Sequence, residues 1–180
     1  MGTLPKNFAS PSHFSTLPLS RGRKGGKSLS MSFIIRTLAS GLGLGYSPIA
    51  SGTLGAIWGI PIFIAFAGLP VLIFALTLIA FTFFSIWISN QAIPLYGNED
   101  PSQIVIDEIV GMLFAVAFWK PEIKILLVGF ILFRLFDILK PWPVNWMETR
   151  FPAGWGVVLD DVMAGIYANL TMWILFKWIL

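Results

Sequence analysis

Five acidic residues lie within segments that are otherwise apolar enough to form membrane helices. They are Asp107 and Glu108 in IVIDEIVG, Asp137 in FRLFDILKPWP, and Asp160 and Asp161 in GVVLDDVMAGI. A charged side chain near the centre of a bilayer costs at least about 2.5 kcal/mol. Any one of these acids could lie at a helix end and face water, but five carboxylates without compensation would be costly. We therefore expect them to have partners or a bound metal cation.

The chemistry of that cation follows from the residue types that are present. The chain has no Cys, and its one His, His13, lies in a polar N-terminal segment. These counts exclude thiolate metal sites and cysteine nucleophiles, and they disfavour Ser–His–Asp triads and His-ligated zinc. Carboxylate oxygens are hard ligands, which suit Mg²⁺ and also Mn²⁺ or Ca²⁺.

Two basic residues flank one of the acids. Arg134 and Lys140 lie three residues before and three residues after Asp137, and they share a helical face if the helix continues that far. One interpretation is phosphate binding beside the metal, with Arg as a planar fork and Lys as a point charge. The alternative is a pair of ordinary salt bridges or snorkelling side chains.

A glycine-rich loop, GLGLGYSPIASGTLG (41–55), adds hydroxyl groups and flexible backbone at the start of a predicted helix. Its candidate groups are Ser47, Ser51, Thr53, Gly52 and Gly55. The free amides of a helix N-terminus bind anions, although a loop of this kind often only connects two elements. Next to a carboxylate cluster and two cations, the loop indicates binding of a phosphate carried by a lipid.

The elements that must position these groups are predicted to be helices in a membrane. Hydrophobic residues make up 56% of the chain and charged residues only 12%, which disfavours a soluble domain. Turn signals at Gly68–Pro70, KPE (120–122) and KPWP (140–143) divide the apolar sequence. The predicted helices lie near 54–67, 70–89, 104–119, 123–139 and from about 157 to the C-terminus. The expected fold class is all-α, a small polytopic membrane protein with about four to five transmembrane helices.

Alternating crossings of these five helices bring the acids to one membrane surface. Asp107 and Glu108 begin the third helix, Asp137 ends the fourth, and Asp160 and Asp161 begin the fifth. The same surface carries more Lys and Arg when the N-terminal segment is counted, so the positive-inside rule makes it cytoplasmic. Trp142 and Trp146 are predicted to anchor that interface.

The N-terminal segment differs from the rest of the chain. Residues 1–30 hold six Ser and five Lys or Arg with no acidic residue, and include the run RGRKGGK. The segment could be a targeting sequence, a tail attracted to anionic lipid, or sequence upstream of the true start at Met31. We predict a polar, basic tail over 1–30 and one helical membrane domain over 31–180. The net charge of +3 implies no nucleic-acid partner.

Four motifs resemble those of the phosphatidylglycerophosphatase A family, in the same order and with similar spacing. They are SPIASGTLG (47–55), DPSQIVIDEIVG (100–111), FRLFDILKPWP (133–143) and GVVLDDVMAGI (156–166). The resemblance implies a membrane-bound enzyme that uses Mg²⁺ to hydrolyse the terminal phosphate of phosphatidylglycerophosphate. The products would be phosphatidylglycerol and inorganic phosphate.

The resemblance also assigns residues and a location. Its acidic positions, implied to be catalytic and metal-binding, fall on Asp107, Glu108, Asp137, Asp160 and Asp161. Its phosphate-binding positions fall on Arg134, Lys140, Ser47, Thr53 and Gly52. It implies a multi-pass protein of the bacterial inner membrane that faces the cytoplasm, takes its substrate from the bilayer and needs no obligate protein partner. The attacking group, water or one of the carboxylates, is left open.

Two other functional classes compete with this interpretation. A membrane phosphotransferase that uses CDP-diacylglycerol would also need Mg²⁺ and clustered Asp residues, but its DGxxAR-type opening is missing here. An ion-coupled transporter could bury carboxylates, but it would place them near the midplane, usually with internal repeats and broken helices. Release of phosphate from a lipid phosphomonoester, with and without EDTA, distinguishes these classes.

Overall fold

The described residues of a computed structural model, 25–97 and 101–178, form seven α-helices and one short 3-10 helix, with no β-strand. The helices are α1 (Gly25–Ala39), α2 (Ser51–Phe66), α3 (Val71–Tyr96), α4 (Ile106–Ala115), α5 (Ile123–Leu139), α6 (Val144–Arg150) and α7 (Gly154–Trp178), and the 3-10 helix is Leu44–Tyr46. The predicted all-α class is confirmed. Helix α1 begins inside the predicted N-terminal tail, while residues 1–24 lie outside the described residues.

Helix α4 is the central element and is shorter than the sequence predicts. It packs against α2, α3, α5 and α7, and eight of its ten residues are buried. The predicted helix at 104–119 ends at Ala115 because residues 116–119 form a turn, in which Phe118 adopts a left-handed φ of 65°. Ten residues span about 15 Å, half of a hydrocarbon core of about 30 Å, so α4 is an internal helix.

Helices α4 and α7 approach each other closely at two glycines. A Cβ atom at Gly165 would collide with the carbonyl oxygen of Gly111, so the two backbones are in contact there. Bulkier side chains would separate the helices at this point. The contact lies one to two turns from Asp161 and from Asp107, and it holds the start of α7 beside the start of α4.

Within the described part of the chain, two helices are long and apolar enough to cross a membrane: α3, with 26 residues, and Gly154–Lys177 of α7, with 24. Large apolar side chains cover the outer face of α3, among them Leu72, Leu76 and Ile79. Lipid is a suitable solvent for such a surface, which supports a membrane protein. Helices α2 and α5, with 16 and 17 residues, are shorter, and the count of four to five spans stays a prediction.

The C-terminal end of α3 lies against the N-terminal end of α7. Helix α3 continues past its predicted end at residue 89 to Tyr96 and stops at Gly97, which has a φ of 79°. Within the extension, Oδ1 of Asn90 accepts a hydrogen bond of 2.9 Å from the backbone N–H of Gly154. The predicted start of α7 near 157 likewise moves back to Gly154. The two candidate spans are thus joined at the end where the acidic residues lie.

Candidate active site

All five predicted acidic residues line one cavity of about 680 Å³. Asp107 and Glu108 come from the first turn of α4, Asp137 from the last turns of α5, and Asp160 and Asp161 from the second turn of α7. These three helix ends therefore lie together, as the alternating crossings of the predicted helices led us to expect. The catalytic and metal-binding roles of these residues stay predictions.

Three of the carboxylates could hold one cation. Asp107, Glu108 and Asp161 each place one oxygen within 4.8 Å of the oxygens of the other two. Opposite ligands of an octahedral Mg²⁺ are about 4.2 Å apart, so small side-chain shifts would bring the three oxygens onto one ion. These residues are largely withdrawn from water, since Asp107 is only 6% exposed and Asp161 only 4%.

Among the residues that the structure describes, Glu108 is the acid of the cluster with an unsatisfied buried oxygen. Burial raises the pKa of its carboxyl well above the ordinary value, and the neighbouring Asp107 carboxylate raises that pKa further. Its Oε2 atom is buried and has no hydrogen-bond partner among the described residues. A buried acceptor without a partner is costly, and a divalent cation would satisfy it. The residues present therefore fit a hard divalent cation.

In each of the two acidic pairs, the backbone N–H of the second residue holds the side chain of the first. Oδ1 of Asp107 accepts a hydrogen bond of 3.1 Å from the N–H of Glu108, and Oδ1 of Asp160 accepts one of 3.0 Å from the N–H of Asp161. These bonds fix the side-chain rotamers at two helix starts. Preorganised carboxylates of this kind lower the cost of assembling a metal site.

Arg134 lies beside the acids and still has N–H groups available to donate hydrogen bonds. Its Nη1 forms an ion pair with Oδ2 of Asp137, one turn further along α5. Its Nε is buried and has no hydrogen-bond partner within the described ranges. A guanidinium group has five N–H donors in a planar fork that matches phosphate oxygens. Asp137 thus orients the guanidinium group of Arg134, which can still bind an anion.

A second, mostly polar cavity of about 450 Å³ lies on the other side of the acidic pair of α4. Asp107 and Glu108 line both cavities, and Arg134 lines the second one together with Ser47 and Gly52. The predicted loop groups Ser47 and Gly52 are therefore at the site. Thr53 lies in the first turn of α2 but lines neither cavity.

Gly52 is where the start of α2 comes closest to the acidic cluster. A Cβ atom at residue 52 would collide with Oε1 of Glu108 and would lie 3.0 Å from Nη1 of Arg134. Any side chain here would displace one of these two groups. The close approach brings the backbone of the first turn of α2, whose N–H groups point out of the helix start, close to Arg134.

Lys140 does not share the helical face of Arg134. Helix α5 ends at Leu139, and Lys140 adopts a left-handed φ of 42°. Its Nζ lies 2.8 Å from Oδ2 of Asp160 and 2.9 Å from Oε1 of Glu148. Burial by itself would lower the pKa of Lys140, but these two ion-paired hydrogen bonds outweigh it and raise the pKa. Lys140 is therefore a permanent cation that is already paired on the cavity wall.

Several residues of the site were not predicted from the sequence. Glu148, on the short helix α6, pairs with Lys140. Ser102 also lines the second cavity, together with the predicted loop residue Ser51. Helix α6 has only seven residues, and its sequence, VNWMETR, has too few apolar positions to show a period. The ion pair with Lys140 therefore had no signal in the sequence.

Comparisons with known proteins agree with the motifs. A sequence profile of the family described as phosphatidylglycerophosphatase A matches residues 37–176, which include every residue that lines either cavity. Two relatives bear the name phosphatidylglycerophosphatase A. One, from Escherichia coli strain K12, is 32% identical over 139 residues, covering 77% of this chain and 81% of its own length. The other, from Haemophilus influenzae, is 33% identical over 157 residues, covering 86% and 96%.

A third relative carries a different substrate in its name. A Bacteroides thetaiotaomicron protein, provisionally named a phosphatidylinositol-3-phosphatase, is 38% identical over 151 residues, which is 76% of this chain and 90% of its own length. No solved structure matches this chain. All three names describe the removal of a phosphate from a lipid.

Proposed function

Since the chain belongs to the phosphatidylglycerophosphatase A family and is a phosphatase, we propose that its substrate is phosphatidylglycerophosphate and that the reaction depends on Mg²⁺. The terminal phosphate is removed, which gives phosphatidylglycerol and inorganic phosphate. The two relatives named phosphatidylglycerophosphatase A support this substrate. Family membership disfavours both the CDP-alcohol phosphotransferase and the ion-coupled transporter.

The observation that carries the proposal is the contact region between the three-carboxylate cluster and Arg134. Asp107, Glu108 and Asp161 concentrate negative charge that a hard cation would balance. Arg134 lies directly beside them with an unused buried donor. A metal cation and a guanidinium on the same phosphate stabilise phosphoryl transfer, because charge spreads over the transferring oxygens.

Within this site, Asp107, Glu108 and Asp161 would hold the Mg²⁺ ion. When bound, the ion supplies Lewis-acid polarisation and neutralises charge on the phosphate. Arg134 donates N–H groups to the phosphoryl oxygens, and Asp137 holds the guanidinium in place. Ser47 and the first turn of α2 bound the space in which the phosphate fits.

Hydrolysis forms a bond between a water oxygen and phosphorus and breaks the bond between phosphorus and the glycerol oxygen. The water loses a proton and the leaving glycerol oxygen gains one. Asp137 and Asp160 line the cavity outside the three-carboxylate cluster, so either can take the proton from water. We favour water over an aspartyl nucleophile, because buried, hydrogen-bonded acids are better placed to hold a cation than to attack.

We further propose that the protein is multi-pass in a bacterial inner membrane, with the site facing the cytoplasm. Arg36 of α1 donates a hydrogen bond of 2.8 Å to the carbonyl oxygen of Leu95, at the end of α3 that carries the site. A basic residue thus lies at the end of α3 that carries the site, and the positive-inside rule places basic residues on the cytoplasmic side. Trp142, which is 78% exposed, and Trp146 lie near the same end and suit an interface.

The test is phosphate release by the purified protein in mixed micelles. The substrates are phosphatidylglycerophosphate, phosphatidic acid, phosphatidylinositol 3-phosphate and a water-soluble phosphomonoester, each with Mg²⁺ or with EDTA. We expect phosphatidylglycerophosphate to have the highest kcat/KM and EDTA to abolish release. A higher kcat/KM for phosphatidylinositol 3-phosphate would indicate that this chain acts on the lipid in the name of the Bacteroides relative. Undiminished release in EDTA would refute the Mg²⁺ dependence.

A further inference from the structure

One wall of the acidic cavity is apolar and has no role in the chemistry described above. Ile93 from the end of α3, Phe151, Pro152 and Ala153 from the connection between α6 and α7, and Val157 from the first turn of α7 form this wall. Six carboxylates, Lys140 and Thr149 form the remaining lining. The lining is therefore amphipathic, with both charged and apolar side chains.

Two of the five residues of the apolar wall belong to the two helices that can span a membrane. Ile93 lies on α3 and Val157 on α7, and the bond between Asn90 and Gly154 joins these helix ends. The wall is thus part of a fixed helix pair and does not depend on a free loop alone.

The outer surface of the same helix pair is aromatic. The rings of Phe83 on α3 and Trp155 on α7 are 56% and 39% exposed and pack edge to face, with centroids 6.1 Å apart. Trp155 and Val157 lie in the same first turn of α7, so the aromatic pair includes a ring at the end of α7 that carries the cavity wall.

We propose that the wall formed by Ile93, Phe151 and Val157 binds the glycerol backbone and the first acyl carbons of the lipid substrate. The phosphate of that lipid then faces the acids and Arg134. This inference rests on the proposed action of the same cavity on a lipid phosphomonoester. Its consequence is selectivity: a deacylated headgroup leaves the wall in contact with water and loses the apolar contribution to binding.

The volume of the cavity supports this assignment. A cavity of about 680 Å³ lies in the range of about 300–1,000 Å³ that accommodates drug-sized ligands. A phosphate group alone would occupy a small part of it. The second cavity also has apolar residues in its lining, among them Pro48 and Ile104, but it is smaller and mostly polar. The larger cavity therefore suits the part of the substrate that carries both polar and apolar groups.

The first experiment compares acylated and deacylated substrate. Val157→Trp fills the space at the wall, and Leu170→Trp places the same ring on α7 at a site that is 55% exposed and outside the cavity. We expect Val157→Trp to lower kcat/KM for phosphatidylglycerophosphate at least about tenfold, and to change kcat/KM for its deacylated headgroup less than about threefold. Leu170→Trp should match wild type on both. An equal loss on both substrates, or no loss on the lipid, overturns the proposal.

The second experiment uses the wild-type protein, so it does not depend on whether Val157→Trp folds. A lipid phosphomonoester with a photoreactive diazirine in the first carbons of its acyl chain is irradiated with the protein, and labelled peptides are mapped. We expect labels on Ile93 and on residues 151–157. Labels confined to other helices would show that the acyl chains lie elsewhere.

Failure of the proposed function gives a different result. If the wild-type protein releases phosphate from another lipid but not from phosphatidylglycerophosphate, the substrate is wrong, and the Val157→Trp comparison is decided on that lipid. If it releases phosphate from no lipid, the hydrolytic function fails, and the labelling pattern alone decides whether the wall binds acyl chains.

Discussion

The ammonium group of Lys140 lies 2.8 Å from Oδ2 of Asp160 and joins the end of α5 to the start of α7. Asp160 is only 5% exposed, so the pair is partly withdrawn from water. The same ammonium group contacts Glu148 and thereby includes α6 in the connection. Lys140 thus stabilises the cavity wall and at the same time places a positive charge inside the cavity.

Replacing Lys140 should therefore affect both stability and kinetics. Lys140→Ala leaves Asp160 buried without its cation, which costs about 1–3 kcal/mol and lowers the Tm in detergent. It should also lower kcat/KM at least about tenfold with little change in the Mg²⁺ dependence. Glu148→Gln, which removes only the more exposed partner, is the matched control and should change both quantities much less. A lowered Tm with normal kcat/KM would leave Lys140 only the structural role.

Asp107→Asn should abolish turnover and leave the fold intact. The substitution removes a carboxylate from the cluster, but it also relieves repulsion among the remaining acids. We expect kcat at saturating Mg²⁺ to fall well beyond tenfold, which corresponds to more than about 1.4 kcal/mol of transition-state stabilisation. Glu122→Gln, at an exposed ion pair with Lys124, is the control. Retention of a tenth of wild-type kcat would be inconsistent with a central metal role.

Mg²⁺ should stabilise the folded protein in the absence of substrate. An ion that binds the native cluster but not the unfolded chain raises the free energy of unfolding, by about 2.7 kcal/mol at a hundred times its Kd. We expect the Tm of wild type to rise with Mg²⁺ and to return to its starting value with EDTA. The Tm of Asp107→Asn should respond little. An equal rise in both proteins would place the ion elsewhere.

Gly52→Ala should inactivate the enzyme through a single methyl group. The new Cβ would collide with Oε1 of Glu108 and press on Nη1 of Arg134. We expect kcat/KM to fall at least about tenfold, because displacements of about 1 Å at a reacting centre can cost a hundredfold. Gly68→Ala, in the turn between α2 and α3, meets no atom within 4 Å and should match wild type. Full activity of Gly52→Ala would exclude a tight fit between α2 and the acidic pair.

Arg134→Lys tests whether the planar fork matters beyond its charge. Lysine keeps the positive charge beside Asp137 but cannot donate two parallel hydrogen bonds to a phosphate. We expect kcat/KM to fall about 10–100-fold, with the Mg²⁺ dependence and the Tm close to wild type. The same substitution at the exposed Arg150 is the control and should have no effect. If Arg134→Lys kept full activity, a point charge would be sufficient at this position.

The type of site could be predicted from the sequence because each of its acids carries its own signal. Asp107, Glu108, Asp137, Asp160 and Asp161 interrupt apolar runs, and a buried charge without a partner is too costly to occur five times by chance. Helix ends could be predicted where Gly, Pro or Lys-Pro break the pattern, as at KPE (120–122) and KPWP (140–143). The all-α class and the family follow from these local features.

Only the tertiary structure decided which acid meets which cation. The spacing of Arg134, Asp137 and Lys140 suggested one helical face, but α5 ends at Leu139, and Lys140 turns toward Asp160 on α7 and Glu148 on α6. That pairing depends on where the chain returns after α6, which no local pattern encodes.

The length of α4 was also decided by packing. An apolar run from 104 to 119 looks like a span, yet residues on nearly every face of α4 are buried against four other helices. A helix surrounded by protein and a helix surrounded by lipid are both apolar all round, so composition cannot distinguish them. The contact between Gly111 and Gly165, which brings Asp161 to Asp107, is a property of the packed helices and is visible only in three dimensions.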